Sequence, residues 1–481
     1  MIEVDTDKRP GRIDIRADDS TITPYGGLLI IGEVVARHRV AELMDAELEM
    51  NNHAPPVKQR RRGVSPGELI VSLAEIQLSG GDCFSDLDDL RYDPAGAQLR
   101  AVGAVPAPTT ALGLAKRFRR SHLQAVERAL ACVGEAHDRA LGRSLADDVT
   151  IDLDAIGIEV YGHQKEGARP SYTGDLSYQA HVATNASRGR ALCSELMPGN
   201  RAKLTGAEAT RLCRRAMKLL PEDHGEVTFR LDSGYYSAEL MNAMDKAGAG
   251  FTVCVPRYET MWRAAQEIPD CDWRPAIDMK GGEVAETTYT PTGWKGSPLR
   301  LIVRRVRQSA SSISRSKNAR RRTTIPKGQL ELALAGEVAE VFCYSFIATN
   351  IEGKDAEVVE HFHRHRAQVE ERLKELKLGQ ALRHLPSGDM NANRVWLQGA
   401  LCALNLTAMV CDLCPVAAAS GSSHEGMPKR RAAKTLRRIL FSVPARIVRT
   451  ARQTIMRLPG GFRYAGVFRA TYLAALSLPV P

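Results

Sequence analysis

Val149-Thr-Ile-Asp152-Leu-Asp154-Ala-Ile-Gly-Ile-Glu-Val-Tyr161 alternates apolar and polar residues over its first half. In an extended chain Val149, Ile151 and Leu153 share one face, and Thr150, Asp152 and Asp154 share the other. Two unpaired carboxylates on a buried face are costly, so that face must meet water, a cation or a metal. A second run, Val227-Thr-Phe-Arg-Leu-Asp232-Ser-Gly234-Tyr-Tyr-Ser, is built alike. Val227, Phe229 and Leu231 form its apolar face, and Asp232 stands where Ser-Gly ends the strand, a turn that aims a carboxylate into a crevice. Residues 206–219 and 237–247 read as helices, and 250–255 as a further strand. Strand–helix alternation of this kind predicts an α/β sheet.

Farther along, His363-Arg-His-Arg366-Ala-Gln-Val-Glu370-Glu-Arg-Leu-Lys-Glu-Leu-Lys377 has no Gly or Pro, and Val369, Leu373 and Leu376 recur at helical intervals. Wound as a helix, it brings His363, Arg366, Glu370 and Lys377 within ~60° of one another. One acid flanked by two cations and an imidazole suits a metal-bound carboxylate among phosphate-holding groups. The plain alternative is a solvated face with i,i+4 ion pairs such as Glu370 to Lys374. Three acids on two strands and a helix suit a two-metal site, where two Mg²⁺ ions ~4 Å apart serve phosphodiester displacement.

With these residues in place, the chain resembles the bacterial insertion-sequence transposases of the DDE type. It is similar to the group whose acidic helix reads Tyr-(2)-Arg-(3)-Glu-(6)-Lys, here His363-(2)-Arg366-(3)-Glu370-(6)-Lys377. Asp152-Leu-Asp154, Gln164-Lys-Glu-Gly167, Tyr172-Thr-Gly174, Arg230-Leu-Asp232-Ser-Gly, Gly80-Gly-Asp-Cys-Phe-Ser-Asp-Leu-Asp-Asp-Leu-Arg91 and Asn393-Arg-Val-Trp396 carry the same likeness. The resemblance implies an RNase H-like core and a catalytic, metal-holding triad of Asp154, Asp232 and Glu370, with Asp152 as the alternative to Asp154. Glu371 is the second choice for the third acid, ~100° round the helix from Glu370. It implies Mg²⁺ as two ions, with Mn²⁺ able to substitute. Arg366 and Lys377 would hold DNA phosphates, and His363, standing for the usual Tyr, would donate a hydrogen bond there. The implied reaction is cleavage and strand transfer of an insertion-sequence element, with DNA as partner: terminal inverted repeats and target DNA, held by a homodimer. The rival readings are a domesticated, inactive DNA-binding protein and a resolvase-like metal nuclease.

Composition agrees. The 481 residues are 44% hydrophobic and 25% charged, ordinary for a globular chain of two to four domains. A net charge of +10 points to a polyanionic partner. Ten scattered cysteines, mostly in apolar contexts, fit a reduced cytoplasmic protein, and Cys411-x-x-Cys414 lacks a second pair for zinc. The polar N-terminus carries no signal peptide, and 397–411, with Gln398 and Asn405, reads as a buried helix with no role in a membrane.

The expected fold class is therefore α/β: an RNase H-like core interrupted by a β-rich insertion, with a helical N-terminal domain and a mostly helical C-terminal region. Residues 1–145 read as the helical domain for DNA-end binding and assembly, with helices over 26–48 and 65–78. Ser65, Pro66, Glu68 and Gly80 are start and stop signals for the second. Pro106 to Thr110 opens a helix running to 133 whose stripe of Lys116, Arg117, Arg119 and Arg120 suits the DNA backbone. Residues 146–255 form the first part of the core, 256–340 the insertion and 341–417 the second part with the acidic helix. The 418–481 region is basic, and its 445–458 stretch fits neither helix nor hairpin period well. In the insertion, Trp273 is either a core residue or a stacking platform for a displaced base, worth ~1–3 kcal/mol.

Overall fold

A computed structural model describes residues 15–51, 54–60, 62–162, 164–171, 174–314, 320–366, 375–377, 379–415 and 432–480. After a short strand β1 (Ile22–Thr23), the N-terminal region is helical: α1 (Leu28–Arg37), α2 (Val40–Glu49), α3 (Pro66–Ser79), α4 (Leu87–Arg91), α5 (Pro108–Ala115) and α6 (Arg120–Ala140). The start and stop signals of α3 act as read. Ser65 Oγ accepts from the Glu68 amide at 3.1 Å, Glu68 Oε2 accepts from the Ser65 amide at 2.6 Å, and Gly80 ends the helix at φ 112°. Two expected helices are each broken in two. Arg39, left-handed at φ 48°, separates α1 from α2, and residues 116–119 turn between α5 and α6.

The sheet is mixed. It contains β2 (Val149–Glu159), β3 (Arg169–Pro170), β4 (Leu176–Asn185), β5 (Arg190–Pro198), β6 (Val227–Leu231) and β7 (Gly250–Cys254). Helix α7 (Gly206–Met217) precedes β6 and α8 (Ala238–Lys246) follows it. β5 and β3 flank the outer side of β4, which pairs with β2 antiparallel; β2, β6 and β7 run parallel. The next segment supplies α9 (Glu259–Gln266), β8 (Arg274–Pro275), β9 (Gly282–Tyr289), β10 (Leu299–Ser309), α10 (Lys327–Ala335) and β11 (Glu340–Thr349). These strands continue the same sheet: β11 pairs with β7 antiparallel, and the order runs on β11-β10-β9-β8. Helix α11 (Ala356–Arg364) then returns across β7, β9 and β10.

The alternation in β2 decides what covers it. Ile151 and Leu153 join Phe229, Leu231, Leu212 and Leu240 in one core, on the side of α7 and α8. On the opposite face Ile156 and Ile158 join Tyr178, Val182 and the N-terminal helices in a second. Helix α12 (Met390–Leu413) runs through that second core. It is long and apolar enough to cross a membrane, but 94% of its most apolar window is buried inside the protein. The ten cysteines are free thiols.

Beyond α12 the described chain is mixed, where a mostly helical region was expected. A turn of helix, α13 (Ala433–Leu436), leads to the hairpin β12 (Ala445–Arg449) and β13 (Thr454–Arg457), which β1 joins in the order β1-β12-β13. Ala445 and Ile447 are buried while Arg446 and Arg449 are exposed, a short period-2 pattern. Helix α14 (Ala465–Leu476) closes against α1.

Candidate active site

Strand register brings the first two acids together. Leu153 pairs with Leu231, and Leu231 with Val253, across three parallel strands. The next residue on each is Asp154, in the middle of β2, Asp232, just past the end of β6, and Cys254, the last residue of β7, so these stand in a row across strands ~4.8 Å apart. The Asp232 carboxylate accepts from the Gly234 amide at 2.6 Å, which shapes the turn that ends β6. Asp154 Oδ1 accepts from the Ala155 amide at 2.8 Å, and Oδ2 takes Arg366 Nη1 at 3.1 Å.

One step back, the row is Asp152, Arg230 and Thr252, all buried. Arg230 grips both oxygens of Asp152 at 2.7 Å, gives a third bond to the Phe362 carbonyl at 3.0 Å and stacks over the Phe362 ring at 5.0 Å. Both Asp152 oxygens are thus engaged by a guanidinium that also ties α11 to the sheet. Of the two aspartates on β2, Asp154 is the one that reaches solvent, since its side chain keeps 15% of its exposure while that of Asp152 keeps none.

The acidic stretch begins on that sheet. His363 is buried, with Nδ1 2.8 Å from Thr252 Oγ1 and Nε2 3.2 Å from Cys254 Sγ. Both ring nitrogens are turned to β7, so this placement supplies a packing contact where the expected one was to phosphate. Burial first, then the nearby Arg366 charge, push its pKa down to about 3. Helix α11 ends at Arg364, and the Arg366 amide donates to the His363 carbonyl at 3.0 Å. Lys377 Nζ donates to the Gly157 carbonyl of β2 at 2.9 Å. Glu370 and Glu371, like Tyr172 and Thr173 of the quoted motifs, lie outside the described residues. Among the described residues, the group of three metal-capable side chains whose ligand atoms lie within 4.8 Å is Asp82, Cys83 and Asp86.

Residues 6–315 and 333–478 match the family described as transposase DDE domain group 1. The chain belongs to this family of DDE transposases. Among solved structures, a piggyBac transposase synaptic complex with hairpin DNA is similar with a TM-score of 0.38 and 10% identity, covering 86% of this chain and 79% of that chain. No curated protein matches.

In this transposase a further pair sits beside the two aspartates. Tyr235, buried in the turn after Asp232, donates its hydroxyl to His181 Nδ1 at 2.8 Å, while His181 Nε2 donates to the Arg201 carbonyl at 3.1 Å. Burial, then the charges of Asp154 and Asp232, raise the Tyr235 pKa well above its ordinary value. Sequence reading passed over this pair; Tyr235 three residues after the acid was the available signal. The other expected DNA contacts lie elsewhere. Arg119 is exposed at the start of α6, and Arg120 pairs with Glu195 of β5 at 2.5 Å. Trp273 is half-buried under the Arg305 guanidinium, 4.0 Å from its ring, and edge-on to Tyr344 at 6.3 Å, which favours the packing role for it.

Proposed function

We propose that this transposase cleaves DNA at the ends of its own insertion-sequence element and joins them to target DNA, using Asp154, Asp232 and Glu370 to hold two Mg²⁺ ions. The observation that carries the proposal is the register: two carboxylates at adjacent positions on neighbouring parallel strands, Asp154 within β2 and Asp232 at the end of β6, with a cationic side chain already drawn to one of them. Carboxylate oxygens are the donors hard cations take, so the residues present fit Mg²⁺, with Mn²⁺ as a substitute. Bound there, the cations supply an activated water and charge neutralisation at the phosphodiester. Arg366 and Lys377 meet the phosphates and orient them, and the crevice beside Asp154 admits the strand. The strand order β5-β4-β2-β6-β7, three antiparallel then two parallel, supports an RNase H-like core over 146–255 and 341–417. Residues 1–145, with Arg119 and Arg120, serve end recognition and assembly, and 256–340 faces the DNA. Bringing two ends together calls for a homodimer.

The test uses a duplex carrying the terminal repeat that flanks the gene. Wild type should nick it with Mg²⁺ or Mn²⁺. Asp232→Ala and Glu370→Gln should bind the duplex and fall to background cleavage. Cleavage by Asp232→Ala at the wild-type rate removes the assignment; binding without cleavage by the wild type favours the domesticated-binder reading.

A further inference from the structure

The two cations expected on DNA phosphates both rest on β2. Arg366 Nη1 lies 3.1 Å from Asp154 Oδ2, with only 16% and 15% of the two side chains exposed. Lys377 Nζ lies 2.9 Å from the carbonyl of Gly157 on the same strand. The backbone that launches Arg366 is pinned, because His363 is held by Thr252 and Cys254 and its carbonyl takes the Arg366 amide. A change of partner for Arg366 therefore falls to its side chain, with the end of α11 staying on the sheet. The guanidinium suits such an exchange: planar, weakly hydrated, and able to match a phosphate as well as a carboxylate.

We infer that Arg366 couples DNA contact to cation loading. Without DNA, its guanidinium occupies the carboxylate that a divalent cation needs. A phosphate at the crevice competes for it, and Asp154 is released to the cation. DNA and cation then bind cooperatively, each raising the affinity of the other by the same factor. The free protein is kept from loading before a strand is in place. This inference rests on the proposed role of Asp154 as a cation ligand.

The test measures Mn²⁺ binding to the full chain from the loss of the free-ion paramagnetic resonance signal, with and without a duplex of the terminal repeat. Wild type should bind Mn²⁺ more tightly with the duplex, by roughly 5- to 150-fold, the usual range of coupling between sites. Arg366→Gln should bind Mn²⁺ tightly without DNA and gain little from it. Arg366→Lys, which keeps a cation, should retain part of the coupling and guards against a folding defect in the first variant. Arg366→Gln binding no more tightly than wild type without DNA, while Asp154→Asn still weakens binding, overturns the coupling alone. Mn²⁺ binding that ignores Asp154→Asn overturns the cation site and the coupling with it.

Discussion

Asp152 and Asp154 share a strand and a face, yet their neighbours give them opposite tasks. Asp152 is locked to Arg230 in the interior; Asp154 meets Arg366 where both side chains keep part of their exposure. Removing one partner of a buried ion pair strands the other charge, at ~3–5 kcal/mol. Asp152→Asn should therefore lower the urea midpoint sharply, whereas Asp154→Asn should leave it nearly unchanged and stop cleavage. The reverse pattern would exchange their roles. Sequence reading leaned to Asp154 through resemblance and kept Asp152 open, since only the register shows that Arg230 stands opposite Asp152. His363 illustrates the same limit. Its spacing reads as a phosphate contact, but its ring nitrogens face Thr252 and Cys254 of a distant strand. With its pKa pushed down to about 3, His363 is neutral when folded and takes up a proton more readily when unfolded. Its contribution is intact above pH ~6.5 and is lost as pH falls toward the folded value. Acid unfolding followed by circular dichroism should show a shallower loss for His363→Gln than for wild type.

Local signals fixed where elements begin and end; their breaks and the C-terminal hairpin depend on contacts between elements. The α3 cap was legible because Ser65, Pro66, Glu68 and Gly80 act within one turn of the helix ends. The break at Arg39 was not, since nothing in its neighbourhood requires a left-handed residue there. Helix α3 also carries a buried acid that periodicity hides. Glu75 has no exposure, and neither carboxylate oxygen has a hydrogen-bond partner among the described residues. Burial pushes its pKa up to about 7, against the opposing charge of Arg100. The folded state then holds the proton more tightly than the unfolded one. Stability from this group is full below pH ~4.5 and is lost as pH rises through the folded value, by about 3 kcal/mol. Glu75→Gln should flatten that decline, as urea unfolding at pH 5 and pH 8 would show. An equal slope in the variant would assign the decline to other groups.

Across the whole molecule, the central sheet passes from β7 to β11 through three residue pairs, Cys254 with Ile347 to Thr252 with Thr349, and β10, β9 and β8 follow from β11. Those pairs include Cys254 and Thr252, the two residues that hold His363, so β11 borders the row that carries Asp154 and Asp232. Strand–helix order and the buried α12 were readable because each leaves a period or a length in the sequence. The continuity of the sheet was not, because antiparallel pairing across a long insertion leaves no such mark. A chain of net charge +10 bound to DNA should release counterions, with a salt slope of roughly −0.9 per phosphate met. Arg366→Gln and Lys377→Gln should each lower the slope by about one phosphate if their side chains leave β2 for the DNA. An unchanged slope would keep them on the strand.

The central claim is convergence: the middle of β2, the end of β6 and the segment after α11 around one pair of cations. Replacing Mg²⁺ with Fe²⁺ and adding ascorbate and peroxide cuts a polypeptide backbone beside the bound iron. The expected fragments end near residues 154, 232 and 370, and disappear in Asp154→Asn. Cuts confined to other regions, such as 82–86, or a set lacking any one of the three, would contradict the account.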